Sequence, residues 1–191
     1  MASLFGKTRP QQVSQQAVLE SKYHSARHNI LLVVIFTLLN IILLVTNSNS
    51  YFLFSATIPY VLADYGMYFC GKYPAEYYQE FGQIEPLNDS FLVVMMGIAA
   101  VILVLYLLSW IFSKKPRVGW MIFALFFFVL DTAGMLLLIG ISADAIIDIV
   151  FHGWVIISLV NGITSYFKLK KLPEEEIPAE ELLQSVPEIE E

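Results

Sequence analysis

The sequence predicts an all-α integral membrane protein: a four-helix bundle with one additional interfacial or re-entrant helix on its outer face. Three observations carry this. Of 191 residues, 57% are hydrophobic and 15% charged, with a mean hydropathy of +0.66; a soluble domain of this length is more charged and has shorter apolar runs. Four apolar runs approach or exceed the roughly 20 residues that cross a hydrocarbon core. The eleven Lys and Arg residues sort to one side once those four runs are taken as spans.

In chain order, residues 1–28 form a cytoplasmic amphipathic segment. The stretch "PQQVSQQAVLESKYHSARHN" sets Val13, Ala17, Val18 and Tyr23 among polar residues, as in a helix lying on a membrane surface before it turns into a span. His24 and His28 are four apart and share a helix face, but no Cys or carboxylate set accompanies them, so no metal site is expected. Residues 29–46, "NILLVVIFTLLNIILLVT", are the first span and read as an uncleaved signal anchor.

Residues 47–90 are expected outside. Tyr51 to Cys70 contests this, being apolar enough for a fifth span. Its uninterrupted apolar part, Tyr51 to Ala63, is short, and Pro59 and Asp64 lie within the segment. Such a length suits an interfacial or re-entrant helix. Seven of the ten Tyr residues fall between Tyr51 and Tyr78, where amphipathic rings suit a membrane–water boundary. Glu76, Glu80, Glu85 and Asp89 follow, which makes this an aromatic, acidic cap: an anchoring belt, or a docking surface for a substrate, a cation or a partner. The lone Cys70 excludes an internal disulfide.

Residues 91–113, 119–140 and 145–167 are the remaining spans, completing a membrane domain over 29–171. Residues 172–191 hold eight of the seventeen acids and three prolines, the composition of a disordered cytoplasmic tail. A short helix from Pro178 to Val186 is the alternative there. With four spans and an internal N-terminus, ten basic residues are cytoplasmic and Lys72 alone is external. The positive-inside bias thus puts both termini in the cytoplasm of a multi-pass cell-membrane protein.

The last span raises the question of function. Asp144, Asp148 and His152 climb one side of a helix at about 100° per residue. Ser158, Asn161, Gly162 and Ser165 continue on or beside that side as a helix-packing face. Depth can be counted from the cytoplasmic basic residues: Arg27 to Asn40, Arg117 to Asp131 and Lys168 back to His152 are thirteen, fourteen and sixteen residues. At about 1.5 Å per residue these three polar groups share a level. Asp131, the one ionisable residue in the third span, needs a partner, a proton or water there, since an isolated charge costs about 2.5–3.5 kcal/mol even on the lenient insertion scale. His152 is the expected partner and Asn40 a neutral third member. Asp144 and Asp148 form an outer polar approach.

Two roles remain open for this cluster. It fixes helix packing, or it is a proton or cation site, since an Asp and a His inside a membrane can relay protons. Catalytic residues and cofactors are not expected. Ser158 is six residues past His152 and points elsewhere, HExxH is absent, and no Gly-rich phosphate loop or nucleic-acid signature is present. The expected protein is therefore a non-enzymatic accessory or scaffold that binds another membrane component or itself within the lipid bilayer. The alternative is a small proton- or cation-coupled transporter or channel.

The stretches "ARHNILLVVIFTLLN", "YFLFSATIPYVL", "SKKPRVGW", "IIDIVFHGWVIISL" and "FKLKKLP" resemble segments of a family of small polytopic membrane proteins of Gram-positive anaerobic bacteria. The resemblance runs to about Pro173. It implies a bacterial cytoplasmic membrane and brings with it no activity or ligand.

Overall fold

The computed structural model describes residues 9–48, 50–81, 85–114, 117–141 and 145–172, with side chains from Gln15 onward except at 80 and 81. It contains helices α1 (Arg9–Val45), α2 (Thr57–Phe69), α3 (Ala75–Phe81), α4 (Asp89–Phe112), α5 (Val118–Leu138) and α6 (Ala145–Leu169). No strand occurs among the described residues. Four helices are long and apolar enough to cross a membrane: α1 from Gln15 to Val45, α4, α5, and α6 from Ile146. Apart from the start of α1, their ends fall close to those read from hydropathy, because the apolar runs stop at capping or turn residues. Asn88 caps α4 through its side-chain oxygen, which accepts from Ser90 N at 2.9 Å. Val45 is followed by Asn47 in the left-handed region (φ 51°), with Ser48 N bonded back to Leu43 O at 2.9 Å, a helix end that satisfies otherwise orphaned carbonyls.

One element differs from expectation. No turn precedes Asn29; the helix that begins at Arg9 runs 37 residues without a break, about 55 Å. No Gly or Pro lies between Gln11 and Val45 to interrupt it. Of the residues read as a membrane-surface face, Tyr23 is packed inward beside Leu19 and Ala26, Ala17 and Val18 are exposed, and the Val13 side chain lies outside the described residues. Tyr23 Oη donates to Ser113 O at 3.0 Å. Arg27 Nε donates to Trp110 O at 3.0 Å, with the guanidinium 4.8 Å above the Trp110 ring. The start of α1 is therefore tied to the end of α4.

Helix α1 packs on α6 and α4, and α5 packs on the same two. Ile30 and Val33 of α1 meet Tyr106 of α4, Phe128 of α5, and Val155 and Leu159 of α6 in one apolar core. Outward rows such as Val93, Val94, Val101 and Val104 on α4 are exposed, a surface suited to hydrocarbon rather than water.

Helix α2 has 13 residues, about 20 Å, too short to cross a core about 30 Å thick. It begins six residues later than the apolar stretch from Tyr51 suggests, because residues 50–56 are non-helical. Pro59 lies in its first turn, where the missing N–H costs nothing. Gly66 lies against Leu92 and Met95 of α4, where an added Cβ would come within 2.8 Å of Leu92 Cδ1. Gly71, at φ 67°, ends the helix, and Lys72 N closes back on Met67 O at 2.9 Å.

Candidate functional site

A chain returning from the end of α1 must satisfy its own backbone wherever it is buried, since an unpaired N–H or C=O inside an apolar core costs several kcal/mol, or about 1–3 in mutational terms. Residues 50–56 turn back along α1 and find their partners there. Asn40 forms a two-way amide bridge to Phe52: Nδ2 donates to Phe52 O and Oδ1 accepts from Phe52 N, both at 2.7 Å. Thr37, one helical turn earlier, accepts from Ala56 N at 2.7 Å and donates to Val33 O at 2.7 Å. Between these anchors Phe54 holds φ 69°, a region that disfavours a bulky L residue by about 1–2 kcal/mol. Its ring is held against Phe151 and Trp154, with centroids 4.0 and 5.3 Å away. Although 38% of Tyr51 is exposed, its hydroxyl meets Ser55 Oγ at 2.8 Å. Burial pushes its phenol up to about 12, the Ser55 hydrogen bond opposes this, and the Asp148 charge adds to the rise.

This return places the start of α2 among α1, α5 and α6. A helix start carries four N–H groups without intrahelical partners, and the N-cap residue Ala56 has no side-chain oxygen to offer. Asp131 of α5 supplies what is missing. Thr57 N donates to its Oδ2 and Ile58 N to its Oδ1, each at 2.8 Å. Ala56 N goes to Thr37 and Pro59 has no N–H, so every donor of the first turn is accounted for. The carboxylate also faces the positive end of the helix dipole.

His152 completes the arrangement. Its Nε2 lies 3.3 Å from Asp131 Oδ2 and 3.5 Å from Thr57 Oγ1. Its Nδ1 lies 2.8 Å from Asp148 O, and its ring stacks on Phe128 at 5.0 Å and 17°. Asp131 and His152 are 2% and 3% exposed. A backbone carbonyl only accepts, so Nδ1 carries a proton. Nε2 then faces the Asp131 carboxyl group and the Thr57 hydroxyl.

The structure thus brings Asp131 and His152 together but leaves Asn40 out. Asn40 has the right depth, and a backbone segment has claimed its amide. Asp148 contributes its carbonyl, while its half-buried side chain stands in the first turn of α6. Asp144 lies outside the described residues. On the packing face, Ser158 Oγ accepts from Asn29 Nδ2 at 2.6 Å, and Ser165 is buried. Gly162 is so close to Ala26 and Met121 that an added Cβ would come within 2.9 Å of Met121 Sδ. Asn161 is a correction: it is exposed, because nine residues at about 100° each carry it half a turn round from His152. His24 and His28 are exposed too, and among the described residues no three His, Cys, Asp or Glu groups are placed to hold a metal ion.

Sequence reasoning missed the role of Thr37 and the loop it anchors. The signal was modest: Thr37 and Asn40, three apart in an apolar run, share one face. Compared with protein-family models, curated proteins and solved structures, the chain matches none.

Proposed function

We propose that this chain is a multi-pass protein of the cell membrane, a four-helix bundle with both termini in the cytoplasm, that serves as a non-enzymatic scaffold or accessory to another membrane component. In this reading α2 is a re-entrant helix. It starts at the level of Asp131 and carries the aromatic segment around Tyr60 to Tyr78 to the outer surface. Non-helical backbone is tolerated at such depth when protein groups satisfy it, as Asn40, Thr37 and Asp131 do here. The orientation draws support from Lys114, Arg117 and Lys168 at the ends of α4, α5 and α6, which lie at the same end of the molecule as Arg27.

The observation that carries the scaffold reading is the use of Asp131. Both its oxygens are bound by backbone N–H groups of α2, so the carboxylate is committed to holding a helix in place. Below it, the space among Ile30, Val33, Tyr106, Phe128 and Val155 has no room for a water molecule, which favours a structural anchor over a conduction path. Purification from native membranes in mild detergent tests this. A stoichiometric membrane partner, or a stable homo-oligomer, is expected. Proton or cation flux above protein-free liposomes would overturn it.

One observation favours a second reading, a proton- or cation-coupled transporter. A buried imidazole and a buried carboxyl group lie 3.3 Å apart, a pair of groups able to pass a proton. That reading requires Asp131→Asn to fold, even with lowered stability, and to abolish flux in liposomes.

A further inference from the structure

We propose that the cavity between α2 and α3 is a binding site for a small alkylated ammonium cation, with the Asp64 carboxylate as its counter-ion and tyrosine rings as its walls. Asp64, Tyr65 and Tyr68 lie round α2 from Gly66, which faces α4, while Phe69 sits at the edge of that side, its ring meeting Phe91 of α4 edge-on at 6.0 Å. Spacings of one, four and five residues put the four on two adjacent ridges of the helix. Tyr77 of α3 closes the site, giving an open cavity of about 440 Å³ lined by these five residues. That volume falls in the range of about 300–1,000 Å³ typical of small-molecule sites.

The walls are fixed rather than incidental. Tyr78 Oη donates to Tyr68 O at 2.9 Å, and the two rings stack at 5.6 Å. Tyr77 meets Tyr68 edge-on at 6.1 Å and stacks on Tyr73 at 4.5 Å. Tyr73 Oη donates to Asp64 Oδ1 in a short hydrogen bond. That bond orients the carboxylate and leaves most of its acceptor capacity, about four lone-pair sites, for another group.

The chemistry selects the ligand class. A carboxylate among rings repels anions and makes burial by a purely apolar molecule costly. Calcium or magnesium demands six or more oxygens, and one carboxylate with phenol faces does not provide them. A weakly hydrated organic cation fits both parts, since ring faces attract it by cation–π interaction while the carboxylate balances its charge. Burial already pushes the Asp64 carboxyl up, with the Tyr73 hydrogen bond working against that rise; a bound cation would offset the same penalty. Lys72, near by in sequence, is paired with Asp89 at 2.7 Å.

The full-length protein in maltoside micelles, which carry no ammonium group, provides the test. Calorimetric titration with tetramethylammonium and with choline should show saturable binding that sodium chloride at equal ionic strength does not reproduce. Asp64→Asn should weaken binding about tenfold or more, and Tyr65→Ala, at a ring already 43% exposed, about two- to fivefold. Both should keep the parent's helix content and unfold cooperatively, which shows that they are folded. Absence of saturable binding to the folded parent would overturn the proposal, as would equal competition by sodium or unchanged affinity in folded Tyr65→Ala. Phosphatidylglycerol vesicles with and without phosphatidylcholine separate the sources. Loss of tetramethylammonium binding when phosphatidylcholine is present identifies a lipid headgroup as the occupant; unchanged binding identifies a soluble cation.

Discussion

Replacing Asp131 with alanine strips the start of α2 of its cap. Two buried backbone donors, Thr57 N and Ile58 N, lose acceptors at 2.8 Å, and His152 loses the carboxylate at 3.3 Å. Each orphaned buried donor costs about 1–3 kcal/mol, so Asp131→Ala is expected to lose about 4 kcal/mol. Asp131→Asn is intermediate, about 2 kcal/mol. One amide oxygen can replace one acceptor, but the amide nitrogen then faces either Thr57 N or Ile58 N, donor against donor. His152→Ala loses the Phe128 stacking and the Asp148 bond as well. The double variant should lose less than the sum of the singles, by about 0.5–3 kcal/mol of coupling. Cys70, at the far end of α2, reports the change locally. It is 5% exposed with Sγ donating to Asn88 O at 3.4 Å, so its maleimide labelling in detergent tracks opening of α2. At tenfold per 1.4 kcal/mol, Asp131→Ala should accelerate labelling by up to about a thousandfold, with the loss of unfolding free energy measured in parallel by circular dichroism. An alanine variant within about 1 kcal/mol of the parent, labelling at the parent's rate, would refute the cap.

Four further outcomes follow from the same geometry. In intact cells an impermeant maleimide should label Cys70 slowly from outside; labelling only after the inner face is opened would reverse the proposed sidedness of α2. Phe54→Gly should be about 1 kcal/mol more stable than Phe54→Ala in detergent unfolding, the reverse of the usual order, because both lose the ring packing and only glycine relieves φ 69°. Gly162→Ala should destabilise by about 1–3 kcal/mol through overpacking against Ala26 and Met121, whereas Gly153→Ala, with nothing within 4 Å, should be neutral or slightly stabilising in the same assay. Burial raises the Asp64 carboxyl above its ordinary 3.8, so its stabilising contribution is complete below that value and is lost as pH rises through the folded one. Unfolding midpoints measured from pH 4 to 7 should therefore fall less steeply for Asp64→Asn than for the parent.

The long helices were legible because hydrocarbon imposes a single demand, length of apolar run, and α4 and α5 meet it within a residue or two of where their runs begin and end. The pairing of Asp131 with His152 was legible because a buried charge needs a partner and depth can be counted along a helix. Azimuth is why Asn161 was misplaced, and Asn40 was misplaced because depth says nothing of a backbone segment that claims its amide. The capping of α2 was beyond reach for another reason: the partners of Asn40, Thr37 and Asp131 are backbone groups of residues 52–58, and a main-chain N–H leaves no mark in a sequence. Tyr23 and Arg27 illustrate the same limit, since each donates to a carbonyl of α4.

The tie between Asp131 and Thr57 spans 74 residues, which makes the order of synthesis matter. When Thr57 and Ile58 leave the ribosome, the carboxylate that will receive them has not been made, and neither has His152. If α2 is re-entrant as proposed, it has nowhere within hydrocarbon to leave its first N–H groups until α5 inserts, and it waits in water or at the headgroups. On the proposed re-entrant topology, assembly therefore proceeds in two acts: the first two spans enter, and the short helix is drawn in afterwards as the third span arrives beside the second. A nascent chain that stalls before Asp131 presents Tyr51 to Cys70 as an unburied apolar segment, the form in which membrane quality control would meet it.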